Sequence, residues 1–124
     1  MKEAYTTTAT IVLDEDGILR ITIKKNAKIE LADAENHFIV TKRLLGGKKG
    51  IVFLDAREPH TVSSAARKFG SDNYESSRIA TAVLVSGSTI KYLSNIILYL
   101  QKPKTPVRMF TDMDEAIGWL KSLR

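Results

Sequence analysis

The chain has 124 residues, of which 44% are hydrophobic and 27% charged, with three prolines and seven glycines. This length and composition fit one globular domain over residues 1–124, since domains commonly contain about 100–200 residues. The absence of cysteine excludes disulfides, thiolate zinc sites, iron–sulfur clusters and cysteine nucleophiles, and it suits a reducing cytoplasm. The net charge of +5 is a mild basic excess.

The amino-terminal third predicts a β-hairpin followed by a helix. Residues 6–13 are rich in threonine and β-branched side chains, residues 14–17 form a turn motif, and residues 19–24 alternate apolar with polar positions. Apolar residues at helical spacing over 33–45, ended by Gly46-Gly47, indicate an amphipathic helix.

The middle of the chain predicts two strands that are buried on both faces. Residues 51–54 and 79–85 are continuous apolar runs, which are typical of a sheet with helices on either side. Between them, residues 62–69 favour a short helix that ends at Gly70, and residues 74–78 favour one more helical turn.

The carboxyl-terminal third predicts a helix, a strand and a helix. An apolar stripe at helical spacing runs over residues 88–100, and residues 107–110 form a short strand. Asp112, with Glu115 three residues later, is placed to cap the last helix. The predicted order ββαβαβαβα indicates an α/β fold, with helices packed on a mixed sheet that begins with an antiparallel hairpin.

Several short segments in this order resemble a known family. They are Leu54-Asp55, Ser64-x-x-Arg67, Pro106-x-Arg108-x-Phe110, Asp114-Glu115-Ala116 and Trp119-Leu120. The chain resembles the SpoIIAA-like proteins, whose STAS-type fold is shared with anti-sigma-factor antagonists and is related to lipid-handling CRAL-TRIO domains. The relatives implied by this resemblance are small bacterial proteins of unassigned function.

The resemblance implies a possible phosphoswitch. The antagonists bind proteins and are switched by phosphorylation of a serine in an Asp-Ser pair, at the start of the helix after the third strand. The matching region, residues 55–64, lacks that pair, so the phosphoacceptor candidates are Thr61, Ser63 and Ser64. The alternative is that Thr61 or Ser63 caps the helix.

Polar residues follow two of the predicted central strands, where α/β sheets usually bind ligands. This candidate polar pocket consists of Asp55, Arg57, Glu58, His60, Ser86 and Ser88. The alternative is a set of surface residues with an ion pair between Asp55 and Arg57. No catalytic motif, metal-ligand spacing or cofactor motif accompanies these residues, so we expect no enzyme, no metal and no cofactor.

The helix expected at residues 88–100 has apolar side chains beyond its stripe. These are Tyr92, Ile96, Leu98 and Tyr99. A helix that packs on a sheet with one face does not need them. They therefore indicate a partner surface, as in a homodimer, or a groove for a lipid-like ligand, unless neighbouring helices cover both flanks.

Together these features favour a non-enzymatic, cytoplasmic domain with a regulatory or protein-interaction role of STAS/SpoIIAA-like type. The alternative is a domain of CRAL-TRIO-like type that binds a small apolar ligand or lipid. Nucleic acid is not an expected partner, because the basic clusters are small and lie at the ends of elements. A membrane span is not expected either, because the densest apolar run, residues 96–100, is far shorter than about 20 residues.

If the apolar helix forms a homodimer, substituting Tyr99→Lys and Ile96→Lys should abolish self-association, because each change introduces a charge into the contact. Light scattering on the purified variants measures this. Unchanged dimerisation of the double variant would contradict the assignment.

Overall fold

The computed structural model describes residues 2–87 and 104–124. The strands are β1 (Lys2–Tyr5), β2 (Ala9–Leu13), β3 (Leu19–Ile23), β4 (Ala27–Ile29), β5 (Gly50–Asp55), β6 (His60–Val62), β7 (Arg78–Leu84) and β8 (Val107–Phe110). The helices are α1 (Leu31–Leu44), α2 (Ser64–Asn73) and α3 (Met113–Ser122), and one 3-10 turn spans Tyr74–Ser76. The helix expected at residues 88–100 lies outside the described residues.

The main sheet has the order β1-β2-β3-β5-β7-β8. Strands β1, β2 and β3 are antiparallel neighbours, whereas β3, β5, β7 and β8 run parallel. The hairpin is confirmed: β2 pairs with β3, and Asp14 Oδ1 accepts hydrogen bonds from the Asp16 and Ile18 amides at 2.9 Å each in its turn. Gly17 completes this turn at a φ of 78°, which a residue with a side chain rarely adopts.

The central strands are buried on both faces, as their apolar runs predict. On β5, Ile51 and Phe53 pack in the cluster that includes α3, while Val52 packs in the cluster that includes α1. Helix α1 connects β3 to β5 and α2 connects β5 to β7. The sheet therefore lies between α1 and α2 on one face and α3 on the other.

Helix α3 begins at its predicted cap. Asp112 Oδ1 accepts a hydrogen bond from the Glu115 amide at 2.9 Å. Ala116 and Leu120 are fully buried against the sheet, and Trp119 contacts Phe110 with ring centroids 5.6 Å apart. The cap and this apolar face together fix where the last helix starts and which side it buries.

The strand expected from residue 6 begins at Ala9 instead. Thr6 Oγ1 accepts hydrogen bonds from the Thr8 and Ala9 amides at 3.2 and 2.9 Å, so residues 6–8 form a turn. Threonine hydroxyls compete with sheet pairing in this way. The turn reverses the chain and leaves Lys2–Tyr5 to pair as the edge strand β1, which the sequence analysis did not predict.

Two further departures are a pair of short strands and the end of a helix. Strands β4 and β6 form a separate two-stranded parallel sheet, and each is three residues long, too short for a periodic pattern. Helix α2 continues through Gly70 to Asn73, so the predicted end at Gly70 is wrong. Gly70 allows a close approach, because a Cβ there would lie 2.6 Å from the Tyr74 ring.

In the described ranges, 2–87 and 104–124, no helix combines the length and the apolar character that crossing a membrane requires.

Two leucines near the carboxyl end of α3 can test how this helix packs on the sheet. Leu120→Ala should lower the free energy of unfolding by about 2–5 kcal/mol, because it leaves a cavity in the core. Leu123→Ala is the control, since Leu123 is 38% exposed, and should cost about 1 kcal/mol or less. Urea denaturation measures both, and equal losses would contradict the packing of α3.

Candidate functional site

A cavity of about 150 Å³ lies between the sheet and the helices α1 and α2. Most of its wall is apolar. The apolar side chains that line it from the strands are Ile21, Ile23, Ile29, Leu54, Val62 and Val83. Ala34 of α1 and Ala66 of α2 line it from the helix side with small side chains.

A β-bulge brings a charged residue to this cavity. Gly50 of β5 pairs with Arg78, but the next residue, Ile51, pairs with Ala80, so Ile79 is the extra residue of β7. Side chains alternate between the two faces of a strand, and one extra residue reverses that alternation. Arg78 therefore shares the cavity face with Thr81 instead of the α3 face with Ala80.

Arg78 is a buried cation that no carboxylate of the described residues pairs with. The residue is 8% exposed, and its Nη1 donates a hydrogen bond to Thr81 Oγ1 at 3.3 Å. Its guanidinium carbon lies 3.8 Å from the centre of the Tyr74 ring, a cation–π contact. Its Nε is buried and has no hydrogen-bond partner. The ion pairs of the described part of the chain all join other residues.

Burial lowers the pKa of the Arg78 guanidinium, yet arginine keeps its proton in proteins. Buried charges are normally paired, because leaving one without a counter-charge is costly. Arg78 therefore places a buried positive charge in the cavity wall.

The Tyr74 ring is held in place by aromatic neighbours. Its centroid lies 6.5 Å from that of Phe38 on α1, and Phe38 makes an edge-to-face contact with Phe69 of α2 at 5.6 Å. Gly70 gives the ring room against α2. These contacts keep an aromatic face against the guanidinium of Arg78.

His37 of α1 also lines the cavity and is held by a second polar contact. Its Nε2 lies 2.8 Å from Thr8 Oγ1, in the turn before β2. Burial lowers the pKa of His37, and the nearby positive charge of Arg78 lowers it further, while Asp33 acts in the opposite direction. His37 is therefore neutral at neutral pH.

The lining residues that the structure describes have a net positive charge. Arg67 and Lys104 contribute to it along with Arg78. The carboxylate of Glu75 also lines the cavity, but it accepts from Lys104 Nζ at 3.3 Å. Within residues 2–87 and 104–124, no three histidine or acidic side chains are grouped to hold a metal ion.

The candidate polar pocket is only partly brought together. The expected Asp55–Arg57 ion pair forms, with Nε to Oδ1 at 3.0 Å and Nη2 to Oδ2 at 2.7 Å, at the carboxyl end of β5. His60 Nδ1 lies 2.8 Å from the Glu58 carbonyl, and His60 reaches the cavity lining. Ser86 follows β7, and Ser88 lies outside the described residues.

The hydroxyl candidates for phosphorylation lie around the start of α2. Ser63 Oγ accepts a hydrogen bond from the Ala66 amide at 3.1 Å, so Ser63 caps the helix, as the alternative proposed. Thr61 is exposed on β6, and Ser64 is exposed as the first residue of α2. Phosphorylation of any of them stays a prediction. The candidate partner surface, Tyr92, Ile96, Leu98 and Tyr99, lies outside the described residues.

The sequence analysis missed Arg78, Tyr74 and Thr81 as a site. One indication was present: a cation stands directly before the apolar run at residues 79–85. Its significance depends on the bulge at Ile79, which arises from pairing with β5.

Comparisons with known proteins support the fold. The sequence model of a family described as a domain of unknown function, DUF7793, matches residues 11–124. The chain is similar to an uncharacterised protein of the DUF3478 family with a SpoIIAA-like fold from Shewanella loihica PV-4. The two are 18% identical with a TM-score of 0.64, over 90% of this chain and 91% of that chain. This likeness confirms the expected SpoIIAA-like α/β fold.

A protein with unknown function from Arthrobacter sp. FB24 is 26% identical over 89% of this chain and 90% of that chain. Its TM-score of 0.31 is too low to support a structural argument. Among curated proteins, no significant match to the sequence was found.

The environment of His37 predicts a pH dependence of stability. The unfolded imidazole has a pKa of about 6.5 and the folded one a lower pKa, so below pH ~6.5 the unfolded state binds more protons. The free energy of unfolding should therefore keep its full value above that pH. It should decrease as the pH is lowered further, by at most about 1.4 kcal/mol per pH unit.

His37→Gln should reduce this loss, because it removes the group that takes up the proton. Urea denaturation at about pH 7.5 and about pH 5.5 measures it. His60→Gln is the control, because it also removes a histidine but leaves His37 in place. It should lose as much stability at low pH as the wild type does. An equal loss in wild type and His37→Gln would contradict the assignment.

Proposed function

The chain belongs to the DUF7793 family, a domain of unknown function, and on that premise we propose that it is a non-enzymatic domain that binds a small, mostly apolar molecule. The observation that carries this proposal is the cavity of about 150 Å³ beneath α1 and α2. A concave, mostly apolar pocket with a few polar groups at its wall is the usual form of a site for a small molecule.

The size of the cavity limits the ligand. An apolar cavity of about 150 Å³ accommodates a molecule the size of benzene, and pockets for drug-sized ligands are about 300–1,000 Å³. The body of the ligand is therefore a single ring or a short chain. The apolar wall favours such a body, because each buried methylene contributes about 0.8 kcal/mol.

The partners of the titratable groups support a role in binding. The Asp55 carboxylate is bound by Arg57, and the His37 imidazole by Thr8. A general base needs access to the proton it removes. Because these two side chains are already held by partners within the chain, they support a role in ligand binding and not in catalysis.

A regulatory or protein-interaction role, homodimerisation and a cytoplasmic location remain predictions from the sequence. The first two depend on Tyr92, Ile96, Leu98 and Tyr99, which are outside the described residues. The lack of cysteine supports the third. A ligand that binds under α1 and α2 is compatible with regulation of a partner, because binding stabilises the state that holds it.

The cavity can be tested with neutral linear amides of increasing length. From butanamide towards octanamide, each added methylene should tighten binding by about 0.8 kcal/mol, or about fourfold, until the cavity is full. Isothermal titration calorimetry measures the series.

Two adjacent alanines of α2 give a matched pair of variants. Ala66→Leu projects into the cavity and should weaken octanamide binding at least about tenfold, because it takes the space of the ligand. Ala65→Leu is exposed and should leave binding unchanged. No binding of any amide, or equal binding by both variants, would overturn the proposed function.

A further inference from the structure

This inference rests on the proposed function and adds the charge of the ligand. We propose that the cavity binds a small organic carboxylate, with its apolar chain against the cavity wall and its carboxylate on the Nε–Nη2 edge of Arg78. The site thus requires an amphipathic monoanion in place of a neutral hydrocarbon.

The hydrogen bonding of Arg78 leaves one edge of its guanidinium for a ligand. Nη1 donates to Thr81 Oγ1 at 3.3 Å, whereas Nε is buried without a hydrogen-bond partner. Nε and Nη2 lie on the same edge and donate in parallel, which matches the two oxygens of a carboxylate. Arg57 uses this same edge for Asp55, at 3.0 Å from Nε and 2.7 Å from Nη2.

The stacking of Tyr74 fixes the plane of that edge. The ring covers one face of the guanidinium, with 3.8 Å from the guanidinium carbon to the ring centre. Thr81 holds one end of the group from β7. A guanidinium held on a face and at one end is preorganised, so it loses little freedom when a ligand binds.

The internal contacts of Arg78 do not replace a counter-charge. A cation–π contact and a hydroxyl group offset part of the cost of burial, but neither carries a negative charge. Glu75, the acidic residue of the described cavity lining, accepts from Lys104. The anion that would complete the site must therefore come from a bound molecule.

The other polar groups of the lining also favour a negatively charged ligand. Arg67 and Lys104 add positive charge. His37 is held by Thr8 and is neutral, so it neither repels nor attracts an anion strongly. His60 lines the cavity from β6, with Nδ1 near the Glu58 carbonyl. The positive lining attracts an anion and disfavours an ammonium ligand.

A carboxylate fits this arrangement better than a phosphate. One guanidinium edge satisfies two oxygens, the number that a carboxylate presents in one plane. A phosphate monoester has a further oxygen and a second charge near neutral pH, which call for more donors, whereas Lys104 is already paired with Glu75 and Arg67 has contacts of its own. Octyl phosphate therefore serves as a comparison ligand in the test.

The experiment compares octanoate with octanamide, its neutral analogue of nearly equal shape, by calorimetry on the full chain. Octanoate should bind at least about tenfold more tightly, the gain expected for charge-assisted hydrogen bonds. Octyl phosphate should bind more weakly than octanoate. In NMR spectra of the wild type, octanoate should shift the Nε–H resonance of Arg78.

Variants of Arg78 test whether this residue causes the preference for octanoate over octanamide. Arg78→Met should weaken octanoate binding about 10- to 100-fold while octanamide binding changes by no more than about twofold. Arg78→Lys should give an intermediate loss, because it keeps the charge but not the two-pronged edge. Arg57→Met removes an arginine outside the cavity and should change neither affinity.

The outcomes separate this inference from the proposed function. Equal affinities for octanoate and octanamide, or octanoate binding unaffected by Arg78→Met, would overturn the carboxylate and leave the cavity as an apolar site. Tighter binding of octyl phosphate would overturn the carboxylate in favour of a phosphate. Octanoate binding that Ala66→Leu does not weaken would overturn both. If Arg78→Met does not fold, the ligand preference and the Nε–H shift of the wild type decide.

Discussion

The central constraint of this fold is that β5 and β7 are buried on both faces. Ile51 and Phe53 must be covered by α3, and Val52 by α1, so neither helix layer can be lost without exposing core side chains. Parallel strands also need crossover connections, which α1 and α2 provide on one face. The position of the cavity follows from this, since it lies where those two helices meet the sheet without filling the space.

The bulge at Ile79 is what places a charge in that space. In a strand without the bulge, Arg78 would lie two residues from Ala80 and point with it into the α3 layer, among the side chains that pack around Phe53 and Leu84. With the bulge, the side chain contacts Thr81 and the Tyr74 ring. Bulges often re-aim a side chain near functional sites. Here the irregularity and the buried charge occur together, at the start of one strand.

Local patterns predicted much of the fold, and strand pairing accounts for a large part of what was missed. The hairpin and the Asp112 cap depend on neighbouring residues, as does the Asp55–Arg57 pair, and all three form as predicted. Helix α2 continues past Gly70, whose missing side chain leaves room for the Tyr74 ring four residues later. Predicting the site would have required knowing how β5 pairs with β7 and how α1 approaches the sheet. A periodic sequence pattern specifies neither.

The contact between His37 and Thr8 connects the proposed site to the edge of the sheet. Arg78 helps to lower the pKa of His37, and a carboxylate bound to Arg78 would neutralise the charge that acts on the imidazole. Ligand binding and protonation of His37 are then linked, and the linkage is reciprocal. His37 also holds α1 to the turn that begins β2. Ligand binding in the cavity would therefore affect the turn between β1 and β2, because α1 and the hydrogen bond between His37 and Thr8 connect the two.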